Sequence, residues 1–267
     1  MSQVVLVTGA SSGIGREIAS ALHRKNYKVY GTSRQPQKYA DLPYAMLALE
    51  IKDGASMDAA IAEIIRLEGR LDVLVNNAGV GITGPLEETP MAESKKVFDT
   101  NFFGPMELIN KVLPVMRRQN SGCIINISSI AGYMGLPFRG IYSATKSALE
   151  IITEAYRIEL APFNIRMCSI APGDFATNIA AGRYHAPVLE DSPYAKTYGQ
   201  TLALIDSHVD GGPSPEPMAQ KVLDIINDPY PRPHYAVGSA LQKFSLVLKR
   251  ILPQKLYERM LRNHYKL

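Results

Sequence analysis

The chain has 267 residues, of which 46% are hydrophobic and 20% are charged, and it carries a net charge of +4. This length and composition fit one α/β domain with a sizeable core, and they exclude a disordered or low-complexity chain. The apolar runs are all shorter than about 18 residues and no basic leader precedes the first, so neither a membrane span nor a signal peptide is expected.

Strand-like and helical segments alternate along the chain. Seven apolar runs typical of strands lie at residues 4–8, 28–33, 45–51, 72–77, 122–128, 164–172 and 234–238. Five segments with helical spacing lie between them, at residues 13–25, 55–68, 91–118 with an interruption near 104–105, 142–161 and 215–227. This order predicts an α/β fold: one Rossmann-like, doubly wound parallel sheet of about seven strands with helices on both faces, over residues 1–238. Such sheets bind ligands at the carboxyl ends of their strands.

A glycine motif, VLVTGASSGIG, joins the first strand to the first helix. Gly9 permits a tight turn, Gly13 lets a pyrophosphate approach closely, and Gly15 permits close helix packing. The free N–H groups at the start of the helix then hold phosphate. Turns use glycine freely, but the strand–glycine–helix context favours a dinucleotide site. We predict that this site is formed by Gly9, Ser11, Ser12, Gly13, Ile14 and Gly15.

The end of the second strand bears on the choice of cofactor. In this fold an acidic residue about 20 residues past the glycines binds the ribose 2′-hydroxyl of NAD, whereas an arginine accommodates the 2′-phosphate of NADP. Here the sequence is VYGTSRQ, with Arg34 and no Asp or Glu. An arginine fork suits a phosphate, although a solvated loop arginine is the alternative. We predict NADP(H) rather than NAD(H).

Tyr142 and Lys146 stand four residues apart in GIYSATKSALE, which puts them on one face of a helix. A free phenol has a pKa near 10 and is a poor base at neutral pH, but a nearby ammonium favours the phenolate. The pair can therefore give a proton to a carbonyl oxygen in reduction and take one in oxidation. The alternative is a surface pair with the lysine stem along the ring.

Further motifs follow in order: NNAG at 76–79, DTNFFG around Asn101, INISSIAG with Ser129 thirteen residues before Tyr142, and APGDFAT at 171–177. With the Gly-x-x-x-Gly-x-Gly spacing and Tyr-x-x-x-Lys, they resemble the classical short-chain dehydrogenase/reductase family over residues 4 to about 238. VYGTSR and GYMGLPFRGIYSATKSAL look closest to its hydroxysteroid and retinol dehydrogenase branch. The resemblance implies an oxidoreductase whose catalytic residues are Asn101, Ser129, Tyr142 and Lys146. It adds Asn76, Ala78, Gly79, Tyr142, Lys146, Pro172, Gly173 and Thr177 to the cofactor site.

The same resemblance implies a role for each catalytic residue. Ser129 donates a hydrogen bond to the substrate oxygen, Lys146 also binds the nicotinamide ribose, and Asn101 supports a water that links Lys146 to solvent. The alternatives from the residues alone are a strand-end cap for Ser129 and an ordinary helix-bend residue for Asn101. Without the spacing to Tyr142, the neighbouring Ser128 is as good a candidate as Ser129.

The third strand departs from the family pattern. The family usually has Asp-Val at this strand end, whereas this chain has Glu50 and Ile51. The side chain of Glu50 is longer than that of the usual Asp, which changes the contact expected with the adenine amine. The backbone N–H of Ile51 can still donate a hydrogen bond to the adenine ring. Glu50 and Ile51 are therefore predicted as cofactor-binding residues.

Residues 173–215 are rich in Gly, Pro, Tyr and Ala and weakly periodic, which predicts an irregular substrate loop. Candidate pocket residues are Tyr133, Met134, Leu136, Phe138 and Phe175. An apolar pocket favours a hydrophobic carbonyl or alcohol that is steroid-, retinoid- or lipid-like. The alternatives are a non-catalytic NADP-binding sensor or scaffold, and a sugar epimerase or dehydratase. The glycine spacing and the short region after Pro172 disfavour the last.

Residues 239–267 form a basic C-terminal extension with seven Lys/Arg and one acid, Glu258. Broken at Pro253, it predicts two short amphipathic helices. Peripheral membrane contact through residues 240–267 is one interpretation. Packing on the core or on another subunit is the other, and we favour it. By the resemblance we expect a homodimer or homotetramer, formed through the helices at 91–118 and 142–161, and no nucleic-acid partner.

The two cysteines, Cys123 and Cys168, lie in apolar runs without Cys-x-x-Cys spacing, and the five histidines show no ligand spacing. This pattern favours buried thiols in a reducing, cytoplasmic setting over a disulfide framework. No metal site is expected.

Overall fold

A parallel sheet of seven strands forms the centre of the molecule. The computed structural model describes residues 2–175, 182–210 and 213–267, without the side chains of residues 204 and 206–210. The described strands are β1 Val4–Val7, β2 Lys28–Ser33, β3 Ala45–Ala48, β4 Val73–Asn76, β5 Ile82–Thr83, β6 Gly122–Ile127, β7 Ile165–Pro172, β8 Tyr184–His185 and β9 His234–Val237. The order of the main sheet is β3-β2-β1-β4-β6-β7-β9, whereas β5 and β8 pair separately.

Helices cover both faces of this sheet. The described helices are α1 Gly13–Arg24, α2 Gly54–Glu68, α3 Met91–Phe98, α4 Gly104–Gln119, α5 Gly140–Leu160, α6 Ala195–Asp210, α7 Glu216–Asn227, α8 Ala240–Ile251 and α9 Gln254–Tyr265. Side chains alternate along the central strands, so Val5 and Val7 join the core under α1 and α7, while Val4 and Leu6 join the core under α2 and α4. The predicted doubly wound α/β fold is confirmed.

The strand order reverses beside β1, and this determines where a ligand can bind. From β1 the chain runs outward through β2 and β3, then returns to place β4 on the other side of β1. The loops after β1 and β4 therefore diverge and leave a crevice at the carboxyl ends of the strands. The glycine motif and the NNAG segment both lie there.

The segment at 173–215 differs from its predicted irregular form, since residues 195–210 make the helix α6. Gly199 and two threonines weaken its helix propensity. Tertiary contacts stabilise it instead: Tyr198 is fully buried, and its hydroxyl donates to the Ala186 carbonyl at 2.9 Å. Part of the predicted substrate loop is thus a packed element.

The C-terminal extension forms two helices separated at Pro253, as predicted. In α9 the buried residues are Tyr257 and Tyr265, whereas no described residue of α8 is fully buried. The extension therefore packs on the body mainly through two tyrosines. Among the helices in the described ranges, none is long and apolar enough to cross a membrane. Cys123 and Cys168 are both buried.

A cluster of the half-buried His234 with Glu150 and Glu154 ties β9 to α5 and makes stability depend on pH. His234 Nδ1 lies 2.6 Å from Glu150 Oε2, and His234 Nε2 lies 2.8 Å from Glu154 Oε1. The hydrogen bond with Glu150 raises the pKa of His234 above its ordinary value near 6.5. A raised histidine pKa stabilises the fold fully below about pH 6.5 and less as pH rises through the folded-state value.

We expect the free energy of unfolding to fall between pH 6 and pH 9 as His234 loses its proton in this cluster. His234→Gln should remove most of that fall, whereas His23→Gln, at an exposed position of α1, should keep it. Urea unfolding at several pH values measures the difference. Identical pH profiles for the wild type and His234→Gln would contradict this assignment.

Candidate active site

The glycine turn after β1 is held in place by the end of β4. Thr8 Oγ1 accepts from the N–H groups of Asn77 and Ala78, at 2.9 and 3.0 Å. Asn77 Nδ2 donates in return to the carbonyls of Thr8 and Gly9, at 2.9 and 3.2 Å. The two loops of the crevice are thereby locked together.

Glycine is required at the closest approaches in this turn. Gly9 and Gly13 have φ values of +65° and +54°, which side-chain-bearing residues rarely adopt. A β-carbon at Gly15 would lie 2.3 Å from Asn77 Nδ2 and 2.4 Å from the Gly9 carbonyl oxygen. The start of α1 therefore sits directly on the turn and presents its free N–H groups at the crevice, as a phosphate cradle requires. The chain fits a dinucleotide here.

The NNAG segment places one side chain in the core of the sheet and two residues at the side of the crevice. Asn76 Nδ2 donates to Asn126 Oδ1 at 2.9 Å inside the sheet, so its side chain turns away from the crevice. Ala78 and Gly79 line the other side, and a β-carbon at Gly79 would lie 3.2 Å from Asn101 Oδ1. The neighbouring Asn77, which the sequence did not single out, is the asparagine that contacts the glycine turn.

The ends of β2 and β3 flank the region where an adenosine would extend. Thr32 Oγ1 accepts from the Gly9 N–H at 3.3 Å, and Arg34 is exposed just beyond it. Ile51 is buried, and the Glu50 N–H donates to Ser56 Oγ at 2.9 Å. This edge therefore carries a cation and no carboxylate at the end of β2.

Asn101 lies in a widened π-helical turn, Asp99–Phe103, between α3 and α4. It is completely buried, its Oδ1 accepts from the Val80 N–H at 2.8 Å, and its Nδ2 donates to the Val80 carbonyl at 2.9 Å. The same Nδ2 lies 3.2 Å from Thr145 Oγ1 on α5. Asn101 thus joins the β4 loop to the helix that carries Tyr142.

Tyr142, Lys146 and Ser129 converge beside this loop. Lys146 Nζ donates to the Ile127 carbonyl at 2.9 Å and lies 5.9 Å from the centre of the Tyr142 ring. All three side chains are at least 92% buried. The surface-pair alternative for Tyr142 and Lys146 is therefore excluded, since neither side chain lies on an exposed face.

The geometry also distinguishes the two neighbouring serines. Ser128 Oγ donates to the Lys146 carbonyl at 3.3 Å and faces the interior. Ser129 Oγ accepts from the Ala131 N–H at 3.1 Å and lines the same cleft as Tyr142. Ser129 is therefore both a cap and the serine whose hydroxyl proton can point at a ligand.

A cleft opens above these groups. Six of its lining residues belong to the predicted sites: Ile14, Ser129, Tyr142, Pro172, Gly173 and Phe175. Thr177, predicted for the cofactor site, lies outside the described residues. A phenol and a hydroxyl in one cleft, beside a phosphate cradle, can protonate and hold the oxygen of a carbonyl during hydride transfer.

The remaining predicted pocket residues lie outside this lining. Tyr133 faces Glu150 and His234; burial and the Glu150 carboxylate raise its pKa. Met134 Sδ accepts from the Tyr257 hydroxyl at 3.0 Å. Leu136 packs beside Tyr142, and Phe138 contacts Tyr194 and Tyr198. The apolar run after Ser129 therefore supports the cleft more than it lines it.

Five lining residues were missed in the sequence: Gly81, Ile82, Arg139, Asp174 and Arg183. The Arg139 guanidinium carbon lies 5.6 Å from the centre of the Tyr142 ring. Arg139 immediately precedes α5, whereas Lys146 lies one turn after Tyr142 within that helix. Arg139 and Asp174 also shift the pKa of Tyr265, which burial raises. The C-terminal helix α9 thus reaches the edge of the cleft. The three charged residues lie in irregular loops, where no periodicity signals them.

Comparison with known proteins agrees with this geometry. The family model for short chain dehydrogenase matches residues 3–187. A 3-ketodihydrosphingosine reductase of Bacteroides thetaiotaomicron is 37% identical over 264 residues, covering 98% of each chain. Human retinol dehydrogenase 8 is 36% identical over 247 residues, covering 86% of this chain and 79% of the relative.

A solved structure supports the same conclusion. A short-chain dehydrogenase from Streptomyces avermitilis has 32% sequence identity and a TM-score of 0.85, covering 100% of this chain and 97% of that chain. The predicted resemblance, including the retinol and steroid dehydrogenase branch, is confirmed. The chain therefore belongs to the short-chain dehydrogenase family, whose members are oxidoreductases that bind nicotinamide cofactors and act on small molecules.

Proposed function

We propose that this chain is an NADP(H)-dependent oxidoreductase that interconverts a carbonyl and an alcohol on a hydrophobic steroid-, retinoid- or lipid-like substrate. The observation that carries the proposal is the shared cleft: Ser129 and Tyr142 line it together with Ile82 and Phe175. Two hydroxyls that can contact one oxygen lie next to the glycine cradle, with Ile82 and Phe175 as apolar neighbours in a lining that also includes the three charged residues Arg139, Asp174 and Arg183.

Each residue of the site has a distinct task in this proposal. Ser129 donates a hydrogen bond to the substrate oxygen and orients it. Tyr142 gives its proton to that oxygen during reduction and takes it back during oxidation. Lys146, whose ammonium is fixed by the Ile127 carbonyl, stabilises the phenolate that results. Its remaining donors suit the ribose of the cofactor, which supplies or accepts the hydride.

Asn101 is a positioning residue in this scheme. Its amide fixes the Val80 loop on one side and Thr145 on the other. This places the wall formed by Gly79 close to Lys146, because a β-carbon at Gly79 would lie 3.6 Å from Lys146 Nζ. A water held here would connect Lys146 to solvent and resupply the proton.

Arg34 supports NADP(H) over NAD(H), because its guanidinium is exposed at the end of β2 and has no carboxylate partner among the described ion pairs. We expect Arg34→Ala to weaken NADPH binding by about 10- to 100-fold, the loss of one charge-assisted contact. NADH binding should change by less than about threefold, since NADH lacks the 2′-phosphate.

Fluorescence titration of both cofactors measures this preference. Arg118→Ala, at an exposed position on α4, is the matched control and should leave both affinities unchanged. Equal weakening of NADPH and NADH by Arg34→Ala would refute the role in cofactor choice.

Two relatives support the substrate class by their names: a reductase of 3-ketodihydrosphingosine and a dehydrogenase of retinol. NADPH oxidation should be screened with 3-keto long-chain bases, steroid ketones and retinal, against a small polar ketone. The proposal expects turnover in at least one hydrophobic class and little with the polar ketone. Good turnover of the small ketone with flat activity elsewhere would overturn the substrate class. Tight NADPH binding without any turnover would instead identify a non-catalytic sensor or scaffold.

We also propose a homodimer or homotetramer in a cytoplasmic setting, with peripheral membrane contact through residues 240–267. Family members usually oligomerise. Ile151 and Ile158, one heptad apart on α5, are 63% and 78% exposed. An exposed apolar pair on this helix suits a subunit contact.

A further inference from the structure

Helix α8 presents its apolar side to solvent. Leu241, Phe244, Val247 and Ile251 follow one another at spacings of three, three and four residues, so they form a single stripe along the helix. They are 75%, 53%, 49% and 67% exposed, respectively. We call these four residues the α8 stripe. A surface helix normally turns such a stripe toward the core.

The opposite side of α8, which carries Gln242 and the half-buried Leu246, faces the body. Gln242 Nε2 donates to Asp174 Oδ2 at 2.8 Å, and a β-carbon at Gly173 would lie 2.1 Å from Gln242 Oε1. Lys249 Nζ lies 5.2 Å from the centre of the Tyr257 ring on α9. Gln242 thus meets the body from the side opposite the stripe, and the stripe is left facing solvent.

Helix α9 extends the same kind of surface. Its two tyrosines, Tyr257 and Tyr265, are buried and hold the helix on the body, whereas Leu256 and Met260 are exposed. Both helices of the extension therefore carry exposed apolar side chains. An exposed surface of this kind marks an interaction site.

The charge of the extension selects the partner. Seven Lys/Arg stand against one acid from residue 239 onward. Lys243 and Arg250 are exposed and fall beside Val247 on the helical wheel of α8. A two-fold contact with a second copy would place this positive surface against itself, whereas an anionic lipid surface would neutralise it.

We propose that α8 and α9 dock this protein on an anionic lipid membrane, with the α8 stripe inserted at the boundary between headgroups and acyl chains and the basic residues on the lipid phosphates. Because α8 also contacts Gly173 and Asp174 at the cleft, docking brings the cleft next to the bilayer. Membrane binding itself is independent of the proposed substrate, and only the delivery of a hydrophobic substrate from the bilayer rests on the proposed function.

Flotation of the full chain with lipid vesicles tests this docking. One set is neutral phosphatidylcholine, and the other contains phosphatidylserine at about 30 mol%, each at low and physiological salt. The bound fraction should be at least about tenfold higher on anionic vesicles and should fall with salt. The combined variant Leu241→Gln, Phe244→Gln, Ile251→Gln should lose this binding, and Lys243→Glu with Arg250→Glu should lower it.

The matched control is Leu67→Gln with Leu189→Gln, which removes two exposed apolar residues outside both the extension and the proposed subunit contact and should keep vesicle binding. Thermal unfolding of the stripe variant should match that of the wild type, because the replaced side chains face solvent. Equal or absent binding of the wild type to both vesicle types would overturn the proposal. Absent binding together with a smaller oligomer for the stripe variant would show that a second copy covers the surface. If the enzyme reduces none of the carbonyl substrates in the screen, the flotation result still tests membrane docking independently.

Discussion

Tyr142→Phe is expected to lower kcat for carbonyl reduction by about 10²- to 10⁴-fold, the usual contribution of a general acid. The ring remains, so its packing between Lys146 and Arg139 is preserved, and only the hydroxyl that carries the proton is lost. The dissociation constant for NADPH should stay within about threefold, because the glycine cradle and Lys146 are untouched.

Tyr156→Phe is the control for this experiment. Tyr156 is also on α5, and its hydroxyl lies 2.6 Å from Asn110 Oδ1, away from the cleft. Its loss should leave kcat within about twofold, so the pair separates proton donation from any general effect of removing a hydroxyl from this helix. Undiminished turnover by Tyr142→Phe would refute the proton-donor role.

Gly15→Ala should have the second-largest effect, and it should weaken NADPH binding rather than proton transfer. The added carbon would lie 2.4 Å from the Gly9 carbonyl oxygen and 2.3 Å from Asn77 Nδ2, so α1 must move away from the turn. Overpacking of this kind costs about 1–3 kcal/mol of stability. It also displaces the helix N–H groups from the phosphates, and we expect NADPH binding to weaken by at least about 100-fold, as for loss of two charge-assisted contacts.

The same substitution at Gly199 gives the matched comparison. Gly199 lies inside α6, and among the residues that the structure describes a β-carbon there would meet Val188 alone, at 4.0 Å. Gly199→Ala should raise the free energy of unfolding by about 0.5–1 kcal/mol, since alanine is the better helix former, and leave NADPH binding unchanged. Isothermal titration and urea unfolding measure both variants. Equal NADPH affinity in Gly15→Ala and the wild type would contradict the cradle assignment.

The sheet and the principal site residues were predictable because each is signalled by a short stretch of sequence, either an apolar run or a fixed spacing between residues. The strands at 122–127 and 165–172 are mostly apolar and almost wholly buried, as expected for strands covered on both sides. The spacing from Ser129 to Tyr142 and Lys146 identifies residues that the fold brings to one cleft. Local sequence carries this information because the strand ends and the helix α5 hold those side chains.

Other features depend on contacts between distant segments and gave no such signal. Asn76 and Asn77 are adjacent in the sequence, yet one binds Asn126 and the other the glycine turn. The pair β5 and β8 has two residues in each strand, too few for an alternating pattern. On α8, Gln242 meets Asp174 while the apolar stripe faces solvent, and helical spacing alone does not indicate which side of the helix faces the body.

Transfer of deuterium tests the central claim most directly. The wild type should be incubated with NADPH deuterated at nicotinamide C4, in separate 4R and 4S forms, and with the best hydrophobic carbonyl from the screen. Mass spectrometry should find one deuterium on the former carbonyl carbon from only one of the two forms, and none with Tyr142→Phe on the same timescale. Alcohol formed without deuterium from either form, or no alcohol from any carbonyl class despite NADPH binding, would contradict the account.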